Sequence, residues 1–140
     1  MKFYIKNIKE YNIKNIHDKN GIISVISESE FPHINFKRIF FITSNKTGVR
    51  GNHAHKKCYQ FMFSLMGKIK LVCDDGFEKK EIMLEPKKNG ILLPPTIWAI
   101  QKYLGKNNLL AVICNRNFEE KDYIRDFEEF KKIYKLWKKY

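Results

Sequence analysis

The sequence predicts an all-β domain, a sandwich or barrel, followed by one C-terminal amphipathic helix. Short apolar runs recur at near-regular spacing between turn residues from Gly21 to Cys114. An Asp-Gly turn at Asp75–Gly76 joins two of those runs as a hairpin. After Asp122 the apolar period changes to steps of three and four, the period of a helix.

The elements follow in order. Residues 1–20 are polar with scattered apolar positions. Gly21–Ser27 is a β-branched run and reads as a strand, followed by a turn at Phe31–Pro32. Lys37–Thr43 is the next strand, and Ser44–Gly48 is turn-like. Tyr59–Met66 ends at Gly67, and Lys68–Cys73 runs into the Asp74–Gly76 turn, with Phe77–Leu84 as its partner. Pro86–Gly90 is another turn, and Ile91–Leu93, Trp98–Tyr103 and Leu109–Cys114 are three more strands. The helix is expected over Asp122–Tyr140, with Tyr123, Phe127, Phe130, Tyr134 and Trp137 on one face. Its other face carries Lys131, Lys132, Lys135, Lys138 and Lys139, read as a solvated basic side.

Bulk composition narrows the function classes. A chain of 140 residues is expected to form a single domain over residues 1–140 and can bury a real core. No apolar run is long enough to span a membrane, and the N-terminal stretch lacks the pattern of a signal peptide, so the cytoplasm is the expected compartment. Three widely spaced cysteines, Cys58, Cys73 and Cys114, read as free thiols. The net charge of +12 favours anionic partners. Much of it is lysine spread through the chain, so neither nucleic acid nor a membrane is an expected partner.

Chemistry concentrates in RGNHAHKKCYQ, Arg50 to Gln60. Residues i and i+2 of a strand share a face, so His53 and His55 can project together into one cavity, with Ala54 turned away. Such a pair suits metal ligation or proton transfer better than core filling. His17 and His33, in polar or turn-like surroundings, read as surface residues.

The spacing Gly48-x4-His53-x-His55-x4-Gln60-x6-Gly67 resembles the first signature of the cupin superfamily. Gly90-x3-Pro94-Pro95-x2-Trp98 partly matches the second. The resemblance implies a jelly-roll β-barrel. Metal-binding cupins use the two histidines, a glutamate and a further histidine. Here Gln60 and Trp98 stand at the last two positions. Glutamine is not anionic and indole offers only a donor N–H. Two imidazoles alone fall short of the three or four ligands a divalent first-row metal usually takes. No metal is expected, and the histidines are left to proton chemistry.

RGNHAHKKCYQ with the later DDG, LLPPTIW and EEKDYIRDFEEF resembles the sugar 3,4-ketoisomerases, small cupins, over about Arg38 to Phe130. That family implies a homodimer, no cofactor, and a dTDP-linked 4-keto-6-deoxy sugar bound in the barrel. The carbonyl moves from C4 to C3, preparing 3-amino-3,6-dideoxy sugars. An imidazole, with an ordinary pKa near ~6.5, can remove the acidic hydrogen beside a ketone. By resemblance His53 is the base at carbon and His55 the shuttle between oxygens. Arg38 and Arg50 are the candidates for holding diphosphate, since guanidinium binds oxygens in pairs. Gln60 is expected to bond a histidine or a sugar hydroxyl, and Trp98 to form barrel wall or touch the sugar. Asp122, Tyr123 and Arg125 read as helix-start and packing residues. Phe41 and Phe118 depart from the family, which often has tyrosine at both. Two other readings are a nucleotide-sugar epimerase of the same fold and a non-catalytic ligand- or nucleic-acid-binding cupin.

Overall fold

Short apolar runs, several of them buried along most of their length, build two five-stranded antiparallel sheets. They are seen in a computed structural model that describes residues 1–30, 35–44 and 48–135. The turn expected at Phe31–Pro32, His33, most of Ser44–Gly48 and the helix beyond residue 135 lie outside the described residues. The strands are β1 (Lys9–Asn12), β2 (Lys14–Asp18), β3 (Gly21–Val25), β4 (Arg38–Ser44), β5 (Val49–His55) and β6 (Gln60–Met66). They continue as β7 (Ile69–Asp74), β8 (Lys79–Leu84), β9 (Asn89–Leu93), β10 (Trp98–Tyr103), β11 (Asn108–Cys114) and β12 (Tyr123–Ile124), before helix α1 (Phe127–Lys135). One sheet has the order β1-β9-β6-β11-β4, the other β12-β5-β10-β7-β8. They face each other in a jelly-roll-like arrangement, the barrel expected of the sequence. Every run read as a strand is one, with ends shifted by a residue or two.

Ile69, Leu71, Tyr103, Leu110 and Val112 are fully buried in the main core cluster, which draws on both sheets. Each large apolar side chain there contributes roughly 1.5–3 kcal/mol by leaving water. The β7–β8 connection is longer than the two-residue turn expected. Asp74 accepts the Gly76 N–H, and Asp75 Oδ1 accepts those of Phe77 and Glu78, so the two carboxylates satisfy a wider loop. Asp75 Oδ2 also accepts the Ile5 N–H at 2.8 Å, tying the N-terminus to this corner.

Two features differ from the sequence reading. Residues 1–20 contain two strands: β1 joins a sheet edge, and β2 pairs with β3 in a separate hairpin. The helix begins at Phe127, not at Asp122. Asp126 accepts the Glu129 N–H at 2.8 Å and caps it. Asp122–Ile124 is a short 3-10 turn and a bridge strand, because Tyr123 and Ile124 pair with His55 and Ala54.

Candidate active site

β5 does not alternate regularly, and the irregularity assembles the site. His53 is opposite Ala99 on β10, but Gly51 is already opposite Ile100 and Arg50 opposite Gln101. Asn52 is therefore an extra residue, a β-bulge, with φ of 56° beside Gly51 at 84°. A regular strand would place Arg50 on the face of Ala54. The bulge brings it round to the face shared by His53 and His55. That face is the barrel interior, since Ala99 belongs to the main core cluster and Gln101 accepts from the buried Tyr103 hydroxyl. Gly51 is required here, because a Cβ would stand 2.8 Å from the Ala99 carbonyl oxygen.

The histidine rings meet edge to face, centroids 5.1 Å apart. His53 Nδ1 is 3.1 Å from the Gly51 carbonyl oxygen. A carbonyl only accepts, so Nδ1 holds the proton and Nε2 is bare. Burial lowers the His53 pKa to about 4, helped by His55 and Arg125 against the opposing pull of the Gly51 carbonyl and Glu120. His53 is therefore neutral at neutral pH. His55 is buried, and its Nδ1 donates to Asp122 Oδ2 at 2.9 Å. Burial pushes the Asp122 carboxyl up. The bond from His55 and the Lys57 and Cys58 amides outweigh it and hold the group below its ordinary value. Among the described residues His55 Nε2 is a buried nitrogen without a partner.

Tyr123 closes over both imidazoles. Its ring lies 5.1 Å from that of His53 and 4.3 Å from that of His55. Its hydroxyl lies within electrostatic reach of Arg38. Arg125 stacks on the outer side of the ring at 4.3 Å and is held by Glu120 at 2.6 and 3.0 Å. The opposite sheet supplies a row set by strand register, Arg38, Cys114 and Gln60. Arg38 Nη2 and Gln60 Nε2 approach Cys114 Sγ at 3.6 and 3.8 Å. Arg38 Nε is buried without a partner among the described residues. Phe118, exposed, lies 5.6 Å from the Arg38 guanidinium and 5.5 Å from the Tyr123 ring.

Among the residues expected from sequence, then, His53, His55 and Arg38 gather at one end of the barrel, with Gln60 in the Arg38 row. Arg50 shares the inner face and is exposed, within electrostatic reach of Tyr103. Trp98 is not brought there. It alternates with Ala99 and Gln101 on β10, so it points to the outer face and packs on Phe127 and Phe130 at 5.1 and 5.6 Å. It is wall beneath the helix and does not touch the histidines. Phe41 also faces outward, 55 % exposed, while its neighbour Phe40 packs against the main core cluster. A hydroxyl missing at 41 is therefore not missing from this site. Asp122 and Tyr123, read as helix-start and packing residues, are instead the groups that hold and cover the imidazoles. The DYIR motif marked the stretch, but a two-residue bridge to β5 leaves no sequence period to find it by. The four-ligand metal set of other cupins does not fit this chain: Gln60 faces the Cys114 thiol and Trp98 points away.

Comparison with known proteins shows the family. The family model described as FdtA, WxcM-like, C-terminal matches residues 6–135. The chain belongs to this family. It is 32 % identical over 125 residues to a TDP-4-oxo-6-deoxy-alpha-D-glucose-3,4-oxoisomerase of Aneurinibacillus thermoaerophilus, covering 89 % of this chain and 90 % of the relative. QdtA, a sugar 3,4-ketoisomerase from Thermoanaerobacterium thermosaccharolyticum solved with TDP, superposes with a TM-score of 0.87 at 28 % identity, over 96 % of this chain and 98 % of QdtA. A histidine-to-asparagine variant of QdtA, solved with TDP-4-keto-6-deoxyglucose, superposes at 0.86. The fold is shared more widely. NovW, a 4-keto-6-deoxy sugar epimerase from Streptomyces spheroides, gives a TM-score of 0.77 at 12 % identity, over 86 % of this chain and 69 % of NovW.

Proposed function

We propose that this FdtA-family chain is a TDP-sugar 3,4-ketoisomerase acting on TDP-4-keto-6-deoxyglucose. The observation that carries the reading is the bare Nε2 of a neutral His53 beside an imidazole held by a carboxylate, in a chain 32 % identical to a 3,4-oxoisomerase. His53 Nε2 takes the C3 proton. The electron pair left at C3 forms the C3–C4 double bond, and the C4 carbonyl electrons move to oxygen. The enediolate collapses the other way: the C3 hydroxyl loses its proton and becomes the ketone, C4 gains a proton on carbon, and the C4 oxygen gains one. His55, fixed by Asp122, carries the proton between oxygens. The Tyr123 hydroxyl, carried on the ring that covers both imidazoles, steadies the oxygen charge. Arg38 Nε offers a free N–H to a substrate oxygen, and Arg50, exposed on the same inner face, is placed for diphosphate. No cofactor is needed, since the reaction is a redox-neutral proton transfer.

The protein works as a homodimer. Among the described residues the β2–β3 hairpin pairs only with itself, and it exposes Ile16, Ile22 and Ile23. β4 ends its sheet with Ile39 and Phe41 exposed. An open edge and exposed apolar side chains fit a second copy. We place the enzyme in the cytoplasm, where its three free cysteines stay reduced. No described helix is long and apolar enough to cross a membrane.

A proton NMR time course with TDP-4-keto-6-deoxyglucose in deuterated buffer tests the reading. The expected result is a 3-keto sugar carrying deuterium at C4, which also gives the stereochemistry there. Exchange at C3 and C5 with inversion, and no new ketone position, would make the chain an epimerase. No exchange at all would leave a binding module.

A further inference from the structure

Behind the catalytic face lies a cluster of metal-ligating side chains that ketone migration does not use as a set. His55, Cys58 and Asp122 are 4, 2 and 8 % exposed. One donor atom from each lies within 4.8 Å of the others. The backbone holds them together. The Asp122 carbonyl accepts the Lys56 N–H at 2.8 Å, and Asp122 Oδ1 accepts the Lys57 N–H at 2.8 Å. The turn after β5 is thereby clamped to the bridge strand, with Cys58 pressed beneath the imidazole.

The donors are an imidazole nitrogen, a thiol sulfur and a carboxylate oxygen, a borderline set that suits Zn2+. A thiolate and a carboxylate together offset the charge of a divalent cation, so the bound ion leaves no net charge in the buried pocket. Zinc bonds of about 2.0–2.3 Å in a tetrahedron put neighbouring donors roughly 3.3–3.8 Å apart. The cluster reaches this if its widest separation closes by about 1 Å and the His55–Asp122 contact opens by about half that.

We propose that His55, Cys58 and Asp122 form an inhibitory Zn2+ site. It differs from the cupin metal site, sharing with it His55 alone. The cation takes the place of the proton between His55 Nδ1 and Asp122, which moves to His55 Nε2, and of the Cys58 thiol proton, which is released to solvent. The imidazole, metal-bound at Nδ1 and protonated at Nε2, has no lone pair left with which to carry protons between substrate oxygens. Inhibition rests on the isomerase reading; metal binding does not.

The test uses the full-length, metal-free protein and the metals alone. Titration with Co2+ is expected to saturate at one equivalent, with a thiolate-to-cobalt charge-transfer band in the near ultraviolet and tetrahedral bands in the visible. Zn2+ is expected to displace it. One equivalent of Zn2+ is expected to lower turnover at least tenfold, and a chelator to restore it. Cys58→Ser is expected to abolish the charge-transfer band and weaken Zn2+ binding at least tenfold, with its own metal-free turnover as the baseline. If Cys58→Ser does not fold, Asp122→Asn carries the same binding test. Absence of the band in the native protein, or its survival in Cys58→Ser, would overturn the site. Stoichiometric Zn2+ with unchanged turnover would overturn the inhibition. A protein that shows the band with Co2+ but, freed of metal, never isomerises the sugar would overturn the isomerase reading and uphold the site.

Discussion

Replacing Asp122 by asparagine tests the division of labour between the histidines. The carboxylate's short bonds are Oδ2 accepting from His55 Nδ1 at 2.9 Å and Oδ1 accepting from the Lys57 amide at 2.8 Å. Asparagine keeps one acceptor, which the Lys57 amide takes, and turns an NH2 toward His55. Two donors cannot face each other, so the imidazole gives up its Nδ1 proton and carries one on Nε2 instead. The nitrogen left for the shuttle then donates where it should accept. A hydrogen bond to a charged group contributes about 1.5–3 kcal/mol, which corresponds to a roughly 10- to 150-fold fall in kcat/KM. The same loss is expected to lower Tm by roughly 3 °C per kcal/mol for a domain of this size. The informative readout is a ratio. In deuterated buffer the His53 exchange of the C3 proton is expected to continue while the 3-ketone forms slowly, so exchange outpaces product. Equal slowing of both would show that Asp122 only holds the fold, and kcat/KM within twofold of the native enzyme would refute its role.

Three other outcomes follow from the same geometry. His53→Ala is expected to abolish turnover while TDP-sugar binding, measured by calorimetry, persists; near-normal turnover would remove His53 as the base. Because burial lowers the His53 pKa to about 4, the base stays neutral across the range where a free histidine protonates, and the acid limb of kcat/KM is expected near 4 rather than near 6.5. The folded state then binds fewer protons than the unfolded chain between those values. Stability is expected to hold above pH 6.5 and to fall toward pH 4, by at most about 1.4 kcal/mol per pH unit from this group, in denaturant titrations at stepped pH. Gly51→Ala puts a Cβ 2.8 Å from the Ala99 carbonyl oxygen at a φ of +84° and is expected to cost about 1–3 kcal/mol, read as a lowered Tm, with loss of activity as the bulge shifts.

How much of this was legible depends on whether a feature repeats. β6, β7, β10 and β11 announce themselves because apolar residues dominate runs of six or seven. The His53–Ala54–His55 alternation does the same for the imidazoles. β1 and β2 are polar strands of four and five residues that expose most of their side chains, so they carry no apolar period. β12 is two residues long and exists only because β5 is there to pair with it. Asp122 and Tyr123 were therefore visible as part of a motif but not as site residues. Trp98 was misleading for the opposite reason. The signature spacing puts it where a ligand belongs, yet strand parity turns it toward α1.

The bulge and the orphaned nitrogens together explain how a barrel interior becomes a site. An unsatisfied buried polar group costs roughly 1–3 kcal/mol, and among the described residues His55 Nε2 and Arg38 Nε are two such groups at this end of the barrel. Neither has an acceptor or donor within the described chain, although the thiol of Cys114 and the ring of Tyr123 lie close enough to have been replaced by better partners. A sugar that brings adjacent carbonyl and hydroxyl oxygens supplies an acceptor for the guanidinium N–H and a proton for the imidazole. On the proposed assignment, binding recovers what folding left unsatisfied, because a ligand with oxygens on neighbouring carbons can satisfy both nitrogens at once.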